Sequence, residues 1–233
     1  MLVSCAIAGV AYFTGSDQSL TSVLTLGASE TKGKVATAPL DGRSTASLEV
    51  VAATTKLTVR TQDLGDDLYK ITSADDSGTA PSPVLSRDRV QLLLSPDGNG
   101  ASGDVEVLLS TKVRWALRFV GGADEQIVNL PCGQVSSVEL VGGSRRTELR
   151  LSKPTGTVPV RVTGAVDELA VTSPAGSPVR VQVDSGANTV AAGVRTLRDV
   201  PPGSTLTPKD WQVKDRYDID AAARITLLSV QNG

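Results

Sequence analysis

Six copies of one short signature (apolar, variable, apolar) recur between residues 127 and 183: Val128-Asn129-Leu130, Val138-Glu139-Leu140, Leu149-Arg150-Leu151, Val160-Arg161-Val162, Leu169-Ala170-Val171 and Val181-Gln182-Val183. Alternation of period two puts both apolar side chains of a copy on one face and the residue between them on the other, so each copy reads as a short, half-buried strand. Measured at the second apolar residue, the copies lie 10, 11, 11, 9 and 12 residues apart. Between them stand strand breakers: Pro131-Cys132-Gly133, Gly142-Gly143, Pro154-Thr155-Gly156, Gly164 and Pro174-Ala175-Gly176. Proline withdraws a ladder donor and glycine admits positive φ, so each strand ends after a few residues.

Strands this short bury their apolar pairs only by stacking coil on coil. A coil of two, about 21 residues, therefore predicts an all-β fold, a β-helix-like solenoid of short strands. The spacing also suits an antiparallel β-sandwich, which stays open as the alternative. In the solenoid, Val128, Leu149 and Leu169 are expected to stack as successive rungs. Glu139, Arg161 and Gln182 then share one outward column and Asn129, Arg150 and Ala170 another, with coils ~4.8 Å apart.

The signature extends upstream through Leu48-Glu49-Val50, Leu57-Thr58-Val59, Val90-Gln91-Leu92 and Val105-Glu106-Val107. In residues 113–119, Val113, Trp115, Leu117 and Phe119 alternate with Arg114, Ala116 and Arg118, which places Trp115 in the core. The stretch from Asp75 to Pro83 reads as a loop. After Val183, Pro201-Pro202-Gly203 is a hard break, Trp211 sits in a loop, and Tyr217-Asp218-Ile219 and Ile225-Thr226-Leu227 are the last strands. An open solenoid end needs covering, and Trp211 with the terminal segment is the predicted cap.

Three segments follow from composition: an apolar leader or membrane-anchor remnant over 1–13, a Ser/Thr/Gly-rich tether over 14–45, and a single solenoid domain with a C-terminal cap over 46–233. The leader is too short for a bilayer-spanning helix, which needs ~20 residues, but it suits an export signal. Leu2-Val3-Ser4-Cys5 resembles a lipobox, which makes Cys5 a candidate lipidation site.

The chain contains no histidine, which removes Ser-His-Asp and Cys-His machinery and imidazole zinc ligation together. A net charge of -2 with scattered cations argues against nucleic-acid binding, and 3% aromatic residues leave few stacking platforms. Cys5 and Cys132 cannot build a disulfide framework, and Cys132 reads as a passive turn residue. Asp97-Gly98-Asn99-Gly100, with Asp104 nearby, is oxygen-rich but lacks a full calcium-loop ligand set and reads as a hairpin turn. Asp215, Asp218 and Asp220 show the alternation of any exposed strand. No catalytic, cofactor or metal residue is expected. Arg145-Arg146, the one adjacent pair of cations, is the candidate contact for an anionic polymer or a partner.

The short V-x-V and L-x-L strands, the Gly-rich turns and the tail Trp211-Gln212-Val213-Lys214-Asp215-Arg216-Tyr217-Asp218-Ile219-Asp220 resemble toastrack-type putative adhesin domains of bacterial cell-envelope proteins, LiaF-like ones included. Actinobacterial versions share the Ala-, Val- and Arg-rich composition. The resemblance covers roughly residues 45–230 and implies a β-helix-like fold displayed outside the membrane, with no catalytic residue to carry over.

The expected role is a non-enzymatic, exported or membrane-tethered structural or interaction module of the cell envelope. Its partner would be an envelope protein or polymer, with self-association through solenoid ends as a further possibility. An envelope-stress sensing domain that binds a membrane partner is the alternative. A calcium-dependent, polysaccharide-active β-helix enzyme is the remaining competitor, disfavoured because turns of two to four residues build no wide groove.

Overall fold

The structure, a computed structural model, describes residues 30–97 and 103–233. Its strands are β1 (Glu30–Lys32), β2 (Val35–Pro39), β3 (Thr45–Val50), β4 (Thr54–Gln62), β5 (Asp67–Ser73), β6 (Thr79–Ser86), β7 (Arg89–Pro96), β8 (Asp104–Ser110), β9 (Arg114–Phe119) and β10 (Ala123–Asn129). They continue as β11 (Gln134–Leu140), β12 (Ser144–Arg150), β13 (Thr157–Val162), β14 (Val166–Ser173), β15 (Val179–Val183), β16 (Ala187–Ala192), β17 (Arg195–Val200), β18 (Ser204–Leu206), β19 (Arg216–Ala221) and β20 (Ile225–Asn232). No helix occurs among the described residues. The leader over 1–13, Cys5 included, lies outside them.

Two sheets face each other. The first, of eleven strands, runs β1-β2-β5-β8-β4-β10-β12-β14-β20-β16-β17; the second, of nine, runs β18-β15-β19-β13-β11-β9-β3-β7-β6. One strand from each makes a rung, and β3/β4, β9/β10, β11/β12 and β13/β14 stack in chain order with parallel pairing. That is the solenoid, and it sets the antiparallel sandwich aside.

The ends depart from a simple coil. At one, the chain leaves β4, runs backwards as β5 and β6, and returns as β7 and β8 between that reversed pair and β3/β4. At the other, it runs backwards as β17 and β18, and β19/β20 slot between β13/β14 and β15/β16. The final strands are thus an inner rung, and reversed strands cover both ends. The predicted C-terminal cap is corrected accordingly: Tyr217 and Ile219 are fully buried core residues. Strands β1 and β2 also fall inside the stretch assigned to a tether, because Ala36 and Ala38 alternate with Val35, Thr37 and Pro39 and offer a buried face to β5.

Inward side chains stack in rows that cross the rungs. One runs Ile71, Val107, Val59, Val128, Leu149, Val171 and Val230. Opposite it, Val90, Leu48, Leu117, Val138, Val160, Ile219 and Val181 form another. Every member is at most 5% exposed, and each such side chain contributes roughly 1.5–3 kcal/mol on burial. Trp115 is fully buried, as its alternation predicts, and its indole N–H donates to the Ser110 carbonyl at 3.0 Å.

The register corrects two expectations. Leu149 stacks on Val171, and Leu169 stacks on Thr147. The corner decides this: Ser144 pairs with Val166, and Leu149 and Val171 each lie five residues beyond. In the outward columns Glu139 does face Arg161, but Asp220 separates Arg161 from Gln182; Arg150 faces Asn129 on one side and Thr172, not Ala170, on the other.

The glycines divide into two kinds. Those where the chain crosses from the first sheet back to the second, Gly133, Gly156 and Gly176, do hold positive φ of 86°, 76° and 75°. Those at the opposite corner, Gly121, Gly142 and Gly164, do not; a Cβ on Gly142 would fall onto the Gly121 carbonyl, and one on Gly164 onto the Gly142 carbonyl. Close backbone stacking, rather than left-handed φ, demands glycine there. Strand β6 is a further departure: Pro81 and Pro83 suggest a loop, yet they are tolerated because β6 is the sheet edge, with no strand on its other side.

Candidate functional site

The outward side chains of the second sheet also form rows. By register one row runs Gln91, Glu49, Arg118, Glu139, Arg161, Asp220 and Gln182, alternating in charge through its middle. Arg118 reaches both Glu49, at 3.4 Å, and Glu139, and Arg161 lies 3.4 Å from Asp220. The first sheet carries a counterpart, Asp104, Lys56, Glu125, Arg146 and Glu168. There the Glu125 carboxylate, 2.9 Å away, holds the Lys56 ammonium above its ordinary pKa, first by its hydrogen bond and then by its charge.

Beside the row on the second sheet, small residues (Ser47, Ala116 and Ser137) make a floor between charged walls. At the end nearest β6 this floor opens into a groove of about 570 Å³, walled by Thr45, Ser86, Arg87, Arg114 and Ser136, and a shallower extension of about 330 Å³ continues past Glu49 and Arg118.

Local chemistry positions this groove. The turn between β6 and β7 consists of Arg87, with φ of 54°, and Asp88. Arg43 fixes it from below: its Nε donates to the Arg87 carbonyl at 3.1 Å and lies 3.6 Å from the Asp88 carboxylate, while its Nη1 bonds the carbonyls of Pro39 and Leu40 and the Asp41 carboxylate. Arg89 is taken by Glu49. Arg87 and Arg114 remain, and neither has a carboxylate within 4 Å among the described residues. The Arg114 Nε is buried and finds no acceptor.

Sequence alternation places Arg114, Ala116 and Arg118 outward, and the structure agrees. Sequence could not reveal that β3 and the β6–β7 turn lie beside them, since that contact comes from the out-of-order rung. Arg145 and Arg146 lie on the other sheet, outward on β12, the first 3.2 Å from Asp124 and the second 2.6 Å from Glu148. Arg145 occupies a position that the ladder skips, which is why two successive residues point outward.

The acidic candidates are dispersed onto partners. Asp97 pairs with Lys34 at 3.0 Å, Asp218 with Arg180 and Asp220 with Arg161, while Asp215 accepts from the Gly156 amide at 2.7 Å. The Asp218 hydrogen bond raises the Arg180 pKa above its ordinary value. Asn99 and Gly100 lie outside the described residues. Among the described residues no three His, Cys, Asp or Glu side chains are grouped to hold a metal ion. Cys132 is exposed in its turn, and its carbonyl accepts from the Thr61 hydroxyl at 2.6 Å. The guanidinium groups of Arg180 and Arg216 both lie over the Trp211 ring, 4.4 and 4.2 Å from its centre.

No protein-family model matches the chain, and no curated protein does. Among solved structures, a putative cell adhesion protein from Clostridium sporogenes superposes with a TM-score of 0.59 at 14% identity, over 88% of this chain and 100% of that one. A putative adhesin from Bacteroides fragilis aligns over 87% of this chain and 99% of that one at 12% identity, with a TM-score of 0.25 that carries no structural argument. The Clostridium likeness shows a shared fold, an all-β, solenoid-like stack.

Proposed function

We propose that this chain is a non-enzymatic, adhesin-like interaction module of the cell envelope, exported or tethered through its N-terminal segment. The observation that carries the reading is the fold shared with the Clostridium protein over that protein's whole length. The outward faces add to it. They are broad and built of self-neutralising charge rows. A surface of this kind suits recognition of an extended partner, an envelope polymer or protein, more than turnover. The leader over 1–13 supports export. Among the described residues no helix is long and apolar enough to cross a membrane.

Protease treatment of intact source cells tests the placement: the full-length chain should be cleaved from the surface while a cytoplasmic marker survives. Complete protection until lysis, with the chain in the soluble cytoplasmic fraction, would overturn it. Adhesion is tested with beads coated in purified protein, which should bind envelope preparations above albumin-coated beads.

A further inference from the structure

We infer that the groove between the β6–β7 turn and the start of β9 binds a carboxylate-bearing glycan, with Arg114 and Arg87 as its anion contacts. The inference rests on the interaction-module reading and gives that module a ligand class and a site.

Charge accounting points to this spot. The outward rows neutralise their cations: Arg118 with Glu49 and Glu139, Arg161 with Asp220, Lys56 with Glu125, Arg145 with Asp124 and Arg146 with Glu148. Inside the groove, Arg43 takes up Asp88 and Glu49 takes up Arg89. Of the three arginines that line the hollow of about 570 Å³, Arg87 and Arg114 are left without a carboxylate among the described residues, and the Arg114 Nε is buried with no acceptor. With no carboxylate of the described residues beside them, the Arg87 and Arg114 guanidinium groups at this hollow are free to take an anion. Guanidinium forks match the two oxygens of a carboxylate.

The remaining lining selects a sugar. Thr45, Ser47 and Ser86 offer hydroxyls at the same hollow, each a donor and an acceptor for saccharide hydroxyls, while Ser136, whose own proton goes to the Trp115 carbonyl at 3.1 Å, adds an acceptor. The strands beneath, β3 and β9, are internal to the sheet and bonded on both sides, so an extended peptide finds no free edge there. No aromatic or large aliphatic side chain lines the hollow to anchor a lipid chain or a peptide hot spot. Its continuation over Ala116 and Ser137 lets a linear polymer run on along the rungs.

The test is calorimetric titration of the purified full chain with oligogalacturonate, fully methyl-esterified oligogalacturonate, dextran sulfate and poly-glutamate, at low and moderate salt. Oligogalacturonate should bind and its ester should not. Arg114→Gln and Arg87→Gln should each weaken binding by about tenfold or more, while Arg145→Gln, on the other sheet, should leave it unchanged. Arg87 sits on an exposed turn, so its substitution keeps the test valid if Arg114→Gln impairs folding. No binding of oligogalacturonate, equal loss in Arg145→Gln, indifference to both groove substitutions, or tighter binding of dextran sulfate or poly-glutamate would each overturn the assignment. Beads coated with Arg114→Gln that still adhere to envelope preparations would leave the interaction-module reading standing while this site falls.

Discussion

Arg118 bridges three rungs: its guanidinium reaches Glu49 on β3 and Glu139 on β11, the strands on either side of its own. Glu49 is only 13% exposed, so this contact is better shielded than an ordinary surface pair. Replacing Arg118 by Glu would set three carboxylates side by side across neighbouring strands. The expected loss is about 1–2 kcal/mol in urea unfolding at low salt, falling by half or more at 1 M salt as screening shortens to ~3 Å. An unchanged midpoint at low salt would show that the row contributes nothing to stability.

Gly142 and Gly156 predict different costs for the same substitution. Alanine at Gly142 drives its Cβ onto the Gly121 carbonyl, and backbone on both sides is locked in the stack, so Gly142→Ala should cost at least about 2 kcal/mol. Gly156 has open space around the added Cβ but a φ of 76°, so Gly156→Ala should cost about 1 kcal/mol, the ordinary left-handed penalty. Thermal unfolding ranks the two, and the reverse order would refute the close-stacking account of the corner.

Tyr217 makes the fold sensitive to strong alkali. Its ring is fully buried, its hydroxyl donates to the Ser152 carbonyl at 2.7 Å, and burial pushes its pKa up to about 12 from an ordinary value of 10.0. The unfolded state therefore loses its phenolic proton first. Stability is complete below pH 10 and declines as pH rises toward 12, by at most about 1.4 kcal/mol per pH unit from this group. Tyr217→Phe forfeits about 1 kcal/mol for the hydrogen bond at neutral pH, yet its stability should fall less steeply between pH 10 and 12 than the parent's. Equal slopes for the two proteins would exclude the phenol as the titrating group.

What sequence made legible was periodic. Val138, Val160 and their fellows alternate with single outward residues, and that pattern alone foretold stacked short strands, the burial of Trp115 and the facing of Glu139 with Arg161. What it hid was order in space. Nothing in Leu48-Glu49-Val50 or Tyr217-Asp218-Ile219 says that the first rung lies inside the second, or that the last slots behind its predecessor, because every rung presents the same Val/Leu rows and register is set at the corners. The groove was hidden for the same reason. Arg114 is legible as outward, but its neighbours Arg87, in a turn, and Ser47, in β3, come from elsewhere in the sequence, the first of them behind two prolines that read as a loop. Arg145-Arg146 stood out only by adjacency, which here reflects one skipped ladder position next to Asp124.

Two guanidinium groups lie over the Trp211 ring, those of Arg180 and Arg216, at 4.4 and 4.2 Å from its centre. Each arginine has a further anchor outside the ring, Arg180 in Asp218 and Arg216 in the Thr157 hydroxyl at 2.9 Å, and Arg216 also donates to the Trp211 carbonyl at 2.6 Å. The ring therefore meets cations that are already oriented, which spares the side-chain entropy that weakens most exposed contacts. Trp211→Leu keeps an apolar side chain and the backbone carbonyl but removes the π face, and should cost about 1 kcal/mol. A double-mutant cycle with Arg216→Gln separates the ring contact from packing, and a coupling of about 0.5–1 kcal/mol is expected. The loop between β18 and β19 would then be pinned by these contacts, and its amides should exchange faster in Trp211→Leu while those of β13 stay protected. A coupling near zero would reduce the tryptophan to a passive cover over β15 and β19.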